Sequence, residues 1–152
     1  MRSILALVLT GVGLSSCTTG AWIGVQRALT PVPAADCLPR ALESAPGVSA
    51  VGGPDSTGFQ YPVRISDSAL AQRHLDVFVG ITTIRDSAAT VYVRDQWFGT
   101  IDAYAPAERH ERADAAIGLL QYITARCAPT SQSPIVCAED GAGTHGGRPC
   151  QR

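Results

Sequence analysis

The sequence predicts a small α+β domain, a two-layer α-β-β-β-α sandwich in which two helices cover one face of an antiparallel sheet. Three observations predict it: a short helical pattern begins at residue 36, β-branched alternating stretches occupy 59–99, and a long helical pattern covers 105–127. Hydrophobic residues make up 45% of the 152 residues and the net charge is −1. This balance suits a globular protein and lacks the basic stripe of a nucleic-acid-binding domain, so no nucleic acid partner is expected.

The first helix is predicted over residues 36–47. Asp36 is a residue type that caps helix amino termini, and Pro39 falls in the first turn, where its missing N–H leaves no hydrogen bond unmade. Pro46 and Gly47 end the helix. The resulting apolar face comprises Leu38, Ala41, Leu42 and Ala45, with Cys37 at its edge.

Three strands are predicted between the helices. Residues 59–65 alternate apolar and polar side chains, and Pro62, which cannot donate to a ladder, indicates an edge strand. Residues 75–84 carry the strongest strand pattern, with apolar residues at alternate positions of a β-branched stretch. Residues 89–99 form the third strand, so 75–99 is predicted to be a hairpin.

The last element is a long helix over residues 105–127. Pro106 fits its first turn, Glu108 complements the positive end of the helix dipole, and Arg126 suits the carboxyl end. Apolar residues that recur at helical spacing are predicted to form its buried stripe: Ala113, Ala116, Ile117, Leu120, Ile123 and Cys127.

The amino-terminal segment, residues 1–16, is predicted to be a signal peptide. Arg2 gives it a positive start, and the uncharged apolar run 3–14 follows. As a helix this run would reach roughly 18 Å, well short of the ~30 Å hydrocarbon core of a bilayer. It therefore cannot serve as a mature membrane span.

The order Leu14-Ser15-Ser16-Cys17 resembles the lipobox of bacterial lipoproteins. In that family the cysteine thiol receives a diacylglycerol, the signal is cut before the cysteine, and the new amino terminus is acylated. The resemblance thus implies lipidation of Cys17 and stable membrane anchoring by several acyl chains. Thr18 stands where members held at the inner membrane usually carry Asp, which implies the periplasmic face of an outer membrane. The alternative is plain secretion with an incidental cysteine.

The remaining chain is predicted to have three parts. Residues 17–35 are expected to be the lipidated cysteine and a short tether, residues 36–127 the α+β domain, and residues 128–152 a tail rich in Gly, Pro and Ser. Trp22 and Ile23 of the tether could rest at the lipid interface, where Trp is favoured. Alternatively, the segment from Trp22 to Leu29 packs back on the domain.

Four cysteines remain if Cys17 is lipidated, an even number in an oxidising compartment. Four cysteines allow three pairings. Cys37 begins the first helix and Cys127 ends the last, so antiparallel neighbouring helices would bring them together. Cys137–Cys150 would then close a loop in the tail. Zinc ligation by Cys137, His145 and Cys150 is the alternative, but their spacing is irregular, so no metal is expected.

No catalytic motif is present in the sequence. GxSxG, HExxH and CxxC are all absent, and His74, His110 and His145 are scattered along the chain. The Arg-Asp pairs at 85–86 and 94–95 are predicted to be charges at strand ends and solvent faces. Catalytic residues and cofactors are therefore not assigned.

The aromatic residues of the last predicted strand and of the segment after it are the one feature that indicates a partner surface. They are Tyr92, Trp97, Phe98 and Tyr104, and core packing around the hairpin is the competing interpretation. The sequence thus favours a non-enzymatic envelope lipoprotein that binds another envelope protein or supports an assembly. The alternative is an envelope hydrolase or peptidoglycan-active enzyme whose catalytic residues meet only in the fold.

Overall fold

The computed structural model describes residues 22–66, 70, 74–85, 88–96, 106–139 and 148–149. These residues contain two helices and seven strands. In chain order the elements are β1 (Trp22–Leu29), α1 (Cys37–Glu43), β2 (Val48–Val51), β3 (Gln60–Ile65), β4 (Leu75–Arg85), β5 (Ala88–Gln96), α2 (Pro106–Cys127), β6 (Val136–Glu139) and β7 (Arg148–Pro149).

The strands form one antiparallel sheet in the order β2-β3-β4-β5-β1-β6-β7. β4 and β5 form the predicted hairpin, in which Val79 lies opposite Val93. Alternate residues of the central strands form a single buried core with the apolar faces of α1 and α2. The predicted α+β sandwich with helices on one sheet face is therefore confirmed. The largest side chains buried in its core are Leu29, Leu42, Leu75, Leu120 and Ile123.

Strand β1 corrects the prediction of a tether for residues 22–29; residues 17–21 of the predicted tether lie outside the described residues. β1 lies inside the sheet between β5 and β6, and its residues Val25 and Leu29 are buried in the core. The segment from Trp22 to Leu29 therefore packs on the domain, as the alternative interpretation of the sequence expected. The domain thus begins before residue 36. The strand pattern was obscured by Arg27, a charged residue on the same strand face as the two buried residues.

The tail, predicted only as a segment rich in Gly, Pro and Ser with a loop closed by Cys137–Cys150, also contributes two strands to the sheet. β6 pairs with β1, where Cys137 lies opposite Val25, and β7 pairs with β6. Before β6, the hydroxyl of Ser131 donates to the carbonyl oxygen of Ala28 at 2.9 Å. Strands of four and two residues are too short to give a periodic sequence pattern.

Strand β3 is not the edge strand that Pro62 indicated, because β2 pairs with its outer side. The N–H and C=O of one residue in an antiparallel strand point to the same side. The Pro62 carbonyl accepts a 2.8 Å hydrogen bond from the N–H of Gly52, just past the end of β2. The missing N–H therefore faces the β2 side and leaves the β4 ladder intact.

The two helices are joined at one end by the predicted disulfide between Cys37 and Cys127, whose Cα atoms are 5.7 Å apart. Asp36 does not cap α1 with its side chain; its carboxylate instead forms an exposed ion pair with Arg40 at 2.9 Å. α2 packs on β1 and β5, and α1 packs on α2 and β2. Within the described residues, neither helix combines the length and apolarity needed to cross a bilayer.

Candidate functional site

The candidate site lies on the sheet face opposite the two helices. Val91 and Val93 of β5 are buried in the helix-covered core, so the alternate residues Tyr92 and Arg94 point to the other face. The register of β3, β4 and β5 brings three further residues beside them. We call the resulting group the open-face cluster: Gln60, Phe78, Gly80, Tyr92 and Arg94.

Tyr92 occupies the centre of the open-face cluster and is half-buried. Its ring lies across Gly80 of the neighbouring strand, so closely that a Cβ added at position 80 would overlap the ring. Its hydroxyl donates to Oε1 of Gln60 at 3.1 Å. Burial raises the pKa of the Tyr92 phenol above its ordinary value, so the phenol keeps the proton that it donates.

Arg94 supplies the positive charge of the open-face cluster. Its guanidinium lies over the Tyr92 ring, with Cζ 5.5 Å from the ring centroid, and its Nη2 donates to Oε1 of Gln60 at 2.8 Å. Its Nε is buried and makes no hydrogen bond within the described residues. Among those residues no carboxylate forms an ion pair with Arg94. The charge is therefore held in place by neutral groups and is not neutralised by them.

An open cavity of about 730 Å³ adjoins the open-face cluster on the side of β2. Phe78 and Pro62 give it an apolar lining, and Arg64 and Asp76 form its charged part. Arg64 Nε lies 2.7 Å from Asp76 Oδ1, and this hydrogen bond lowers the pKa of the Asp76 carboxyl. Arg64 therefore has a carboxylate partner, whereas Arg94 has no ion-pair partner in the part of the chain that the structure describes.

A second polar group is buried at the other side of β5. Asp95 follows Arg94 in the strand and faces α2, where its Oδ2 accepts a 2.8 Å hydrogen bond from Nη1 of Arg112. Arg112 also lies 3.4 Å from Glu108 one helical turn earlier. Desolvation by burial raises the pKa of Asp95, although the positive charge of Arg112 opposes the shift. This ion pair joins the end of β5 to the first turns of α2, so Asp95 and Arg112 have a structural role.

Two further cavities lie beside β2. A groove of about 690 Å³ between α2 and the β2–β3 edge has an apolar floor that includes Leu119, with Glu111 and Asp114 on its rim. A cavity of about 500 Å³ lies between α1 and β2. The exposed His74 and His110 line neither of these cavities nor the one on the open face. Among the described residues no three His, Cys, Asp or Glu side chains could hold a metal ion together.

Of the predicted partner-binding residues, Tyr92 lies in the open-face cluster, whereas Trp97, Phe98 and Tyr104 lie outside the described residues. The predicted lipidation site Cys17 also lies outside them. The Cys37–Cys127 disulfide is present. Cys137 is disulfide-bonded as well, but Cys150 is not described, so its pairing with Cys137 stays a prediction.

Sequence reasoning missed the other members of the cluster. Arg94 was grouped with Asp95 as a charged pair, although neighbouring residues in a strand point to opposite faces. That alternation alone could have placed Arg94 with Tyr92. Gln60 and Phe78 reach the cluster only through the pairing of β3 with β4 and β5, which no local pattern specifies.

Fold and site together define a disulfide-stabilised α+β sandwich whose sheet face opposite the helices carries an aromatic and arginine cluster. Comparisons of the chain with protein-family models, with curated proteins and with solved structures find no match.

Proposed function

We propose that the protein is a membrane-anchored cell-envelope lipoprotein that acts as a non-enzymatic binding module. The order Leu14-Ser15-Ser16-Cys17 supports the anchor, since it resembles the lipobox in which the cysteine is lipidated. Thr18, where inner-membrane members usually carry Asp, supports the periplasmic face of the outer membrane as the location. Two or more acyl chains on the mature amino terminus hold such a protein stably at a bilayer.

The observation that carries the binding role is the charge of Arg94, for which the described residues supply no ion-pair partner. The guanidinium is half-buried and fixed against Tyr92 and Gln60, so little side-chain entropy remains to be lost when a partner binds. Arginine and aromatic residues are also the types that contribute most to protein interfaces. The partner that fits is an envelope protein that places a carboxylate against Arg94 and an apolar side chain against Phe78.

The test is affinity capture from detergent-solubilised membranes with the full chain and two variants. Arg94→Gln removes the charge from the open-face cluster. Arg126→Gln is the matched control, because Arg126 lies over the ring of Tyr122 on α2 with Cζ 5.2 Å from the centroid. It has the same arginine-over-tyrosine arrangement on the opposite layer of the domain.

The expected result is that one captured protein is lost with Arg94→Gln and retained with Arg126→Gln. Removing one partner of a charge-assisted contact of this kind costs about 2–5 kcal/mol of binding free energy, so the affinity should fall at least about 30-fold. Thermal unfolding must show that both variants are folded. Equal capture by the two variants would contradict the proposed binding surface.

A further inference from the structure

The sheet ends on one side at strand β2, whose outer edge pairs with no other strand in the part of the chain that the structure describes. Proteins usually protect such an edge with charged residues or proline, because its free backbone groups can pair with another chain. β2 has the sequence Val-Ser-Ala-Val, which contains neither. A register shift between Val48 and Ala50 disturbs its first half, so the strand is regular from Ala50 onward.

The hydrogen bonds between β2 and β3 show which backbone groups point outwards. Val51 lies opposite Val63, but the bond beside this pair is made by flanking residues, since the N–H of Gly52 donates to the carbonyl oxygen of Pro62 at 2.8 Å. Neighbouring residues of a strand direct their backbone groups to opposite sides, so the N–H and C=O of Val51 point away from β3. One residue of an added antiparallel strand can therefore exchange two hydrogen bonds with Val51.

Cavities flank β2 on both sides of the sheet. The cavity of about 500 Å³ lies on the helix side, between β2 and α1, and the cavity of about 730 Å³ lies on the open-face side. Ala50 and Gly52 line both of them. The side chains of an added strand would alternate between these two sides. Strand addition combines backbone hydrogen bonds, which supply affinity, with pockets for alternate side chains, which supply specificity.

The helix-side cavity determines which side chain fits opposite Val51. Val51 packs against the core, so the residue paired with it would point to the same side, towards α1. Pro39 and the half-buried Tyr61 give the cavity an apolar lining there. Glu43 of α1 adds an exposed carboxylate that forms no ion pair with any described residue. This combination suits Lys or Arg, whose apolar stem ends in a positive charge.

A second copy of the chain does not match this edge. In a symmetric pair, the strand added to β2 would be β2 of the other copy, which has no basic residue to place beside Glu43. The two copies of Glu43 would also flank the same interface, where like charges oppose association. The complementary strand therefore belongs to a different protein.

We propose that β2 accepts an extended segment of a partner protein, which adds a strand to the sheet and places a Lys or Arg side chain beside Glu43. The residues on either side of this basic residue are apolar, since they face Pro62 and Phe78 in the open-face cavity. Two strands, β3 and β4, separate β2 from the strand that carries Arg94. The site therefore goes beyond the proposed function and depends neither on Arg94 nor on Cys17.

The first test is photo-crosslinking of the full chain in cells of the native host. Benzoylphenylalanine replaces the exposed Ala50 in one sample and, as a control, the exposed Gln121 on α2 in another. We expect an adduct with another protein only at position 50, and mass spectrometry should find a Lys or Arg within about three residues of the linked site. An adduct between two copies of the chain, a linked segment without a basic residue, or no adduct at all would overturn the proposal.

The second test asks whether the linked segment adds a strand. The segment is synthesised as a peptide and mixed with the full chain in detergent micelles, and amide hydrogen exchange is followed. The N–H of Val51 should exchange at least tenfold more slowly when the peptide is bound. The N–H of Gly52, which already donates to Pro62, is the internal reference. Unchanged exchange at Val51 would show that the peptide binds elsewhere, which overturns strand addition.

Affinities of the same peptide for three variants test the charge and separate this site from the proposed function. Glu43→Gln should weaken binding about two- to fivefold, as expected for an exposed ion pair. Glu111→Gln is the matched control, because Glu111 lies on the rim of a different groove. Arg94→Gln should leave the affinity unchanged. Equal affinities of Glu43→Gln and Glu111→Gln, or a loss with Arg94→Gln, would overturn the proposal without affecting the capture experiment on the open face.

Discussion

Loss of the Cys37–Cys127 disulfide is expected to destabilise the domain more than any single change on its surface. The bridge joins residues 90 apart in sequence and ties the start of α1 to the end of α2. Closing a loop of that length contributes about 4.6 kcal/mol in the chain-entropy model, because the cross-link restricts the unfolded chain. For a domain of this size the same change would lower Tm by roughly 15–20 °C.

The measurement is urea and thermal unfolding of the Cys37→Ala/Cys127→Ala chain beside the wild type, followed by circular dichroism. The comparison variant is Cys137→Ala/Cys150→Ala, which would lose only about 3 kcal/mol because the predicted loop in the tail is much shorter. Peptide mapping without reduction establishes whether Cys137 and Cys150 are joined. If the first variant lost less than about 1 kcal/mol of unfolding free energy, or if the second variant lost more than the first, the stabilisation would not follow loop length.

Two further predictions concern close packing and pH. Gly80→Ala forces the Tyr92 ring away from β4 and should reduce the free energy of unfolding by about 1–3 kcal/mol. Gly118→Ala, which meets open space on α2, should instead raise it by up to about 1 kcal/mol; urea unfolding of both variants checks the opposite signs. Because burial raises the pKa of Asp95 above 3.8, its carboxyl favours the folded state at low pH, and that contribution is lost as the pH rises through the folded pKa. Asp76, whose pKa is lowered by its arginine partner, behaves in the opposite way, with stability lost as the pH falls through its folded pKa. As the pH is lowered from 6 to 3, the free energy of unfolding of the wild type should therefore rise relative to that of Asp95→Asn. Over the same range it should fall relative to that of Asp76→Asn. If the two differences changed in the same direction, the environments assigned to Asp95 and Asp76 would be wrong.

Much of the fold was predictable because its main elements have strong local patterns. The hairpin strands alternate apolar residues, and α2 repeats them at helical spacing, so the two layers and the order α1, β3, β4, β5, α2 could be predicted. β1 was missed because Arg27 lies on its core-facing side, where Nη2 donates to the Ser131 carbonyl at 3.0 Å. That hydrogen bond depends on a segment more than a hundred residues later, which no local pattern can reveal.

The candidate site was predictable only in part. The aromatic character of Tyr92 indicated a surface of interest, but its contact with Gly80 depends on strand register. Arg64 forms an ion pair and Arg94 does not, within the described residues, because Asp76 lies beside Arg64 on the neighbouring strand. Such cross-strand neighbours are a property of the assembled sheet rather than of any segment.

Intact-mass analysis of the membrane-derived chain tests whether the mature protein is anchored through Cys17. A lipidated protein would yield a mature chain that begins at Cys17 and carries the mass of a diacylglyceryl group and an additional acyl group. Anchoring also predicts that Cys17→Ala becomes soluble or keeps its signal segment. A mature chain cut at another position, without acyl mass, would contradict anchoring through Cys17.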